Sequence, residues 1–365
     1  MPIKIGYDAR MIENSGIGIR IQHILKFWPI PKEKATLYIF GNPKVLNQYQ
    51  IPNHAEIIHY DANIYSINEL LGHPRMKEMD VLDIPHFNVP IALLKKCIVT
   101  IHDLIPYHFK TAHSSIAKRI YLHLILRLIR LFAKKIITVS EFTKQDLVNH
   151  FQFPEDKITV IYNGVDLKTF RKNKPTYLAS FLKKYNLPKQ YLFTVGIGKA
   201  HKNFPFLLSC LDSMWKEGTL KLPLVIGGIS KEIPSDLLAF QEKRNDKIYF
   251  LPHLPYDTLP LAYGAAKVFI YPSLYEGFGF PVIEAQSTET TVFSSNASVL
   301  PEILGNSAEY FDPHSEEDFK SKLAGLLKKP PRQNQLVKLG KANTKRFLWE
   351  NAIQNLAKFY EREIF

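Results

Sequence analysis

Two glutamates, Glu276 and Glu284, stand eight positions apart in the stretch YEGFGFPVIEA, with two glycines and a proline between them. Carboxylates set in apolar sequence call for polar partners, because an unpaired buried charge is costly. The run KVFIY (267–271) reads as a strand, YEGFGF as the loop after it, and Pro281 as the first residue of a helix, where its missing N–H costs nothing. Glu276 then lies on the loop and Glu284 about one turn into the helix. Gly277 and Gly279 let the backbone come close to a ligand. The helix N-terminus between the two acids favours an anion such as phosphate. Carboxylates would repel that phosphate, yet they accept hydrogen bonds from hydroxyls on either side of it. A nucleotide sugar has this layout: ribose hydroxyls, a diphosphate, hexose hydroxyls. A capped helix with two solvated glutamates would carry the same letters.

Such a loop needs a parallel sheet behind it. KIGYD (4–8), TLYIF (36–40), CIVTI (97–101), KIITV (135–139) and ITVIY (158–162) read as buried strands. YLFTVG (191–196), LPLVIGG (222–228), KIYFL (247–251) and KVFIY (267–271) repeat the theme, with helical patterns between. Apolar runs alternating with helices indicate parallel α/β sheets. The polar stretch DLKTFRKNKPTY separates two series, so an α/β protein of two Rossmann-like domains is expected, residues 1–170 and 171–345. Ligands of such sheets sit at the carboxyl ends of the strands.

The 365 residues suit two domains, and 46% hydrophobic with 22% charged residues suits a soluble globular protein with a sizeable core. The formal net charge of +13 fits an acidic partner: nucleic acid, anionic lipid or a phosphorylated small molecule. Cys97 and Cys210 form no redox or metal motif. The start, MPIKIGYDAR, has no signal-peptide character, and no apolar run reaches the ~18 residues that span a bilayer. A cytoplasmic location is the expectation.

Several segments in order resemble the retaining glycosyltransferases of the GT-B fold, family 4 class. EGFGFPVIE resembles their E-x7-E signature; IGYDAR with GIGIR (16–20), DIPHFNVP (83–90), TIHDLIPYHF (100–109), ITVSEFTKQDL (137–147), KITVIYNGVD (157–166), SNASVLPEILGNSAEYFDP (295–313) and FLWENA (347–352) resemble its other blocks. The resemblance covers nearly the whole chain. It implies two Rossmann-like domains facing a cleft, an acceptor-binding N-terminal domain, a nucleotide-sugar-binding C-terminal domain, and a last helix, about 346–365, crossing back to the first. It also implies that Glu284 contacts the ribose and Glu276 the hexose, with the backbone of Phe278, Gly279 and Phe280 along the hexose and phosphates.

Fixed cations should lower the barrier to departure of a diphosphate. The family's Arg-Lys-Asn motif falls on GIGKAHKN (196–203): Lys202 and Asn203 match, His201 stands at the usual Arg, and Lys199 is a candidate to compensate. A solvated lysine loop is the plainer reading. Gly16-Ile17-Gly18 suits close approach to phosphates or a structural turn, and the Arg that usually follows comes one position late, as Arg20. His102 ends the strand CIVTI; the resemblance places it beside the donor hexose, although a lone histidine there is more often structural. Asp103 and His86 are assigned to the acceptor side, His86 equally well to loop packing. LPHLPYDTL (251–259) is expected to flank the base pocket. There is no D-x-D pair and no convincing metal spacing, so no metal and no cofactor are expected.

After Glu284 the family's helix-ending Gly is Glu289 here, and Thr291 replaces a Pro; this helix end should be built differently. In SSIAKRIYLHLILRLIRLFAKKI (114–136), Arg119, His123, Arg127, Arg130 and Lys134 share one helical stripe. The stripe suits anionic lipid headgroups, or simply a wet basic face. The expected activity is transfer of a hexose, with GDP-mannose the first donor, to a hydroxyl of a glycan or lipid-linked acceptor. The I-D-A-R, G-I-G and P-H-F motifs most resemble bacterial mannosyltransferases of surface-polysaccharide assembly. An inactive glycan-binding or scaffold subunit of the same fold is the alternative. A nicotinamide enzyme lacks its G-x-G-x-x-G context, and a nucleic-acid binder lacks a recognition motif.

Overall fold

The computed structural model describes residues 2–109, 116–229, 233, 235–244 and 246–365. The chain divides into two compact units, residues 1–164 with 349–365, and residues 165–348. Each holds one sheet whose neighbouring strands all pair in parallel.

In the first unit the strands are β1 (Ile3–Asp8), β2 (Ala35–Gly41), β3 (Glu56–His59), β4 (Val81–Ile84), β5 (Cys97–Ile101), β6 (Lys135–Thr138) and β7 (Ile158–Val160), in the order β3-β2-β1-β4-β5-β6-β7. In the second they are β8 (Leu192–Val195), β9 (Leu224–Ile229), β10 (Ile248–Pro252), β11 (Val268–Tyr271), β12 (Val292–Ser295) and β13 (Glu309–Phe311), in the order β10-β9-β8-β11-β12-β13. The order reverses between β1 and β4, and again between β8 and β11. Loops leaving adjacent strands there part to opposite faces, which opens a crevice at the strands' carboxyl ends.

The central strands are buried throughout, as in CIVTI and VFIY. Sheets covered on both faces favour such continuous apolar runs. Strands β3, β4, β12 and β13 escape the sequence reading because polar residues leave EIIH, VLDI, VFSS and EYF without a longer apolar run around them. The C-terminal helix Trp349–Glu363 belongs to the first unit, where Trp349 stacks on His23 at 4.3 Å and the Tyr360 hydroxyl donates to the buried Asp83 carboxylate.

The basic segment forms a helix over Ile116–Phe132. Ser114 and Ser115 lie outside the described residues, and Lys134 falls beyond the helix end, so the stripe is shorter than expected. Among the described residues no helix is long and apolar enough to cross a membrane.

Candidate active site

The loops after β8 and β11 meet at the second unit's switch point. Lys202 reaches across from the first loop and donates from Nζ to Glu276 Oε1 at 2.6 Å and to the Tyr271 hydroxyl at 2.6 Å. Its ammonium lies 4.7 Å from the centre of the Tyr271 ring. Tyr271 in turn donates to Glu276 Oε1 at 2.9 Å, and the Glu276 N–H donates to Ser298 Oγ at 3.0 Å. Burial by itself would push the Glu276 carboxyl up; the Lys202 ammonium overrides it and holds the group below its ordinary value. Lys202, expected to meet a diphosphate, is thus paired with the neighbouring acid in this structure.

Glu284 is also buried, but its setting is the reverse. Its Oε2 accepts from the Tyr263 hydroxyl at 2.8 Å, and burial raises its pKa to about 7. Between the two acids runs the helix Phe280–Ser287. Pro281 is its second residue, not its first. Gly279, at φ +91°, is the N-cap and supplies no side-chain bond to the first turn. As a glycine, the N-cap brings no polar side chain to this helix start, and a helix N-terminus is a natural complement to an anion. Phe278 is buried and packs edge-on against Phe280 at 5.2 Å and Phe347 at 5.7 Å, which holds the loop. Gly277 is buried in the same loop.

Lys199 is exposed and makes no ion pair among the described residues. His201 is buried, and burial with the neighbouring Lys202 and Lys199 charges lowers its pKa to about 4, so it is neutral and does not supply the missing Arg charge. Asn203 adopts the left-handed conformation at φ +54° and donates from Nδ2 to Pro313 O at 3.0 Å, so its side chain ties two loops together. Glu289 corrects an expectation. It adopts φ +61°, the conformation a Gly would have supplied, and its carboxylate pairs with Lys172 at 2.7 Å and Lys341 at 2.8 Å.

In the first unit, Gly16 and Gly18 lie inside the helix Ser15–Lys26 and not in a glycine loop. A Cβ on Gly18 would stand 2.3 Å from the Ile12 carbonyl oxygen, so glycine is required there by backbone packing. Arg20 is fully buried and donates to Ile161 O and to Asn163 Oδ1 at 2.8 Å, a structural role. His102 donates from Nε2 to Pro85 O at 3.0 Å, which leaves Nδ1 as an acceptor. Burial, the Arg20 charge and His86 lower its pKa to about 3, so the ring is neutral. Asp103 Oδ1 accepts the Ile105 N–H at 3.0 Å and begins the turn after β5.

His86 is 1% exposed, with Nδ1 accepting the Asn88 N–H at 3.1 Å and Nε2 facing Asp8 Oδ2 at 3.3 Å. It belongs to a network at the β1/β4 switch point. Arg10 bridges Asp8 at 2.7 Å and Glu69 at 3.1 Å, and Glu69 accepts from Asn88 Nδ2 at 3.3 Å. Burial opposes the Asp8 charge, but Arg10 and His86 hold its carboxyl well below the usual range. The signal for Asp8 and Arg10 was present in IGYDAR; nothing local marks Glu69.

Two family models divide the chain between them: Glycosyltransferase Family 4 over residues 8–169 and Glycosyl transferases group 1 over residues 180–343. With the two parallel sheets, they define the class: this chain belongs to the family 4 glycosyltransferases of the GT-B fold, and it is a glycosyltransferase. Among characterised relatives, it is 26% identical to O-antigen chain mannosyltransferase B of Escherichia coli over 95% of this chain and 96% of that protein. It is 28% identical to O-antigen chain mannosyltransferase RfbU of Salmonella typhimurium over 67% of this chain and 64% of that protein. In fold it resembles Anabaena Alr3699/HepE, solved with UDP and glucose, at TM-score 0.77 and 15% identity, covering 99% of this chain and 100% of the other.

Proposed function

We propose that this enzyme transfers mannose, with retention of configuration, from GDP-mannose to a hydroxyl of a glycan or lipid-linked acceptor in surface-polysaccharide assembly. The observation that carries the donor reading is the β8/β11 switch point. Lys202 is paired with Glu276 there, and the helix Phe280–Ser287 that follows the loop after β11 carries the second buried carboxylate, Glu284; a cation, two acids and a helix start on these segments support a nucleotide-sugar donor. The mannose and the polysaccharide rest on the relatives' activities.

In this reading the diphosphate docks on the N–H groups of the helix Phe280–Ser287, and Lys202 leaves Glu276 to meet it. Glu276, released, accepts from a hexose hydroxyl; Glu284 accepts from the ribose. Fixed positive charge then stabilises the departing diphosphate. This reading assigns no carboxylate as nucleophile, so the acceptor attacks on the face the diphosphate leaves, and a phosphate oxygen takes the acceptor's proton. Cations and helix dipole do this without a divalent metal. In the first unit His102 offers Nδ1 to a substrate hydroxyl, and the Asp8–Arg10–Glu69–His86 network sets the walls of the acceptor site.

A thermal-shift panel of UDP, GDP and their sugars, followed by transfer assays without added Mg²⁺ or Mn²⁺, tests the proposal. GDP and GDP-mannose should stabilise the protein most. Glu284→Ala should lose donor affinity, while Glu276→Ala and His102→Ala lose mainly turnover. Preference for UDP, or unchanged rates in the last two variants, would refute it.

A further inference from the structure

His108, Asp146 and His150 form a compact group that the transfer reaction does not use. Asp146 and His150 are four residues apart on the helix Glu141–Phe151, so both side chains leave one face. His108 comes from the short helix Ile105–His108, which begins two residues after Asp103. Asp146 Oδ2 lies 2.9 Å from His108 Nε2, and its Oδ1 lies 3.3 Å from His150 Nε2. The three ligand atoms all fall within 4.8 Å of one another. Asp146 is buried, while the His108 and His150 side chains are 25% and 42% exposed, so the group is reachable from solvent.

In this structure His108 Nε2 shares a hydrogen bond with Asp146, and the same donors and spacings fit a zinc site. Tetrahedral Zn²⁺ with bonds of about 2.0–2.1 Å separates neighbouring ligand atoms by roughly 3.3 Å. Two ligands one turn apart on a helix, with a third from a separate segment, can converge on one ion. Imidazole and carboxylate are ordinary Zn²⁺ donors. His150 also lines a cavity of about 720 Å³ with Arg119, His123, Arg127 and Arg130. The three arginines oppose a bare dication, and they favour an anion or hydroxide over water as the fourth ligand.

We propose that His108, Asp146 and His150 bind one Zn²⁺, which pins the segment following His102 and Asp103 to the helix Glu141–Phe151. The role is structural and does not rest on the donor reading. The test uses the full chain without an affinity tag, stripped with chelator and equilibrated with ~10 µM free Zn²⁺, with metal content measured and melting followed. One zinc per chain and a raised melting temperature are expected, with both lost in His150→Ala and His108→Ala and kept in His54→Ala. No bound zinc, or zinc retained unchanged in His150→Ala, overturns the assignment.

Discussion

Glu276 and Glu284 carry one functional group into opposite electrostatic settings. Lys202 keeps Glu276 charged, whereas Glu284 has only a neutral tyrosine hydroxyl and is pushed up to about 7. The folded protein therefore retains the Glu284 proton up to about pH 7, while the unfolded chain releases it near 4.5. The stability due to the protonated form is complete below the unfolded value and is lost as pH rises through the folded value. Without donor, Glu284→Gln should gain on the parent by up to ~3 kcal/mol between about pH 4.5 and pH 8 in urea titrations. A pH-independent difference would contradict this. Lys202→Met leaves the Glu276 charge buried and unpaired and should cost about 3 kcal/mol. Adding Glu276→Gln should restore most of that stability but no transfer, a coupling that a double-mutant cycle measures directly.

The helix Phe280–Ser287 shows what an element adds to its residues. Gly279 at its start and Glu289 beyond its end both take positive φ, +91° and +61°. Only the first is glycine. A left-handed L-residue costs roughly 1–2 kcal/mol, and the two lysines on Glu289 offset only part of it, because their side chains are 71% and 69% exposed. Glu289→Gly should change stability by less than about 1 kcal/mol, while Glu289→Ala, which keeps the strain and loses both ion pairs, should destabilise by about 1 kcal/mol more than Gly. Chemical denaturation of the pair checks the order. The helix Ile116–Phe132 sets Arg119 and Arg127 beside the exposed Ile120, Leu124 and Leu131, 63%, 54% and 51% accessible. A basic edge next to an apolar one fits the interface of an anionic bilayer.

For the whole molecule, that edge acts on top of a net charge of +13. We expect co-sedimentation with anionic vesicles, weakening with salt. It should be lost in Arg119→Gln/Arg127→Gln and absent for zwitterionic vesicles; binding indifferent to these changes would argue for a merely wet helix. The fold class, nine of the thirteen described strands and the E-x7-E loop were legible in the sequence, because sheets covered on both faces require apolar runs and a glycine-proline loop announces a helix start. Strands β4 and β12 were not, since one Asp in VLDI and two Ser in VFSS break runs of only four residues. Nor were the partners. Lys202 meets Glu276 across 74 positions, Arg10 meets Glu69 across 59, and His108 meets Asp146 across 38. Periodicity is a local property that the sequence carries by itself. Which loops share a switch point depends on strand order, and only the folded sheet decides that; so it is the tertiary structure that determines which acid receives a lysine, which a tyrosine, and hence which is charged.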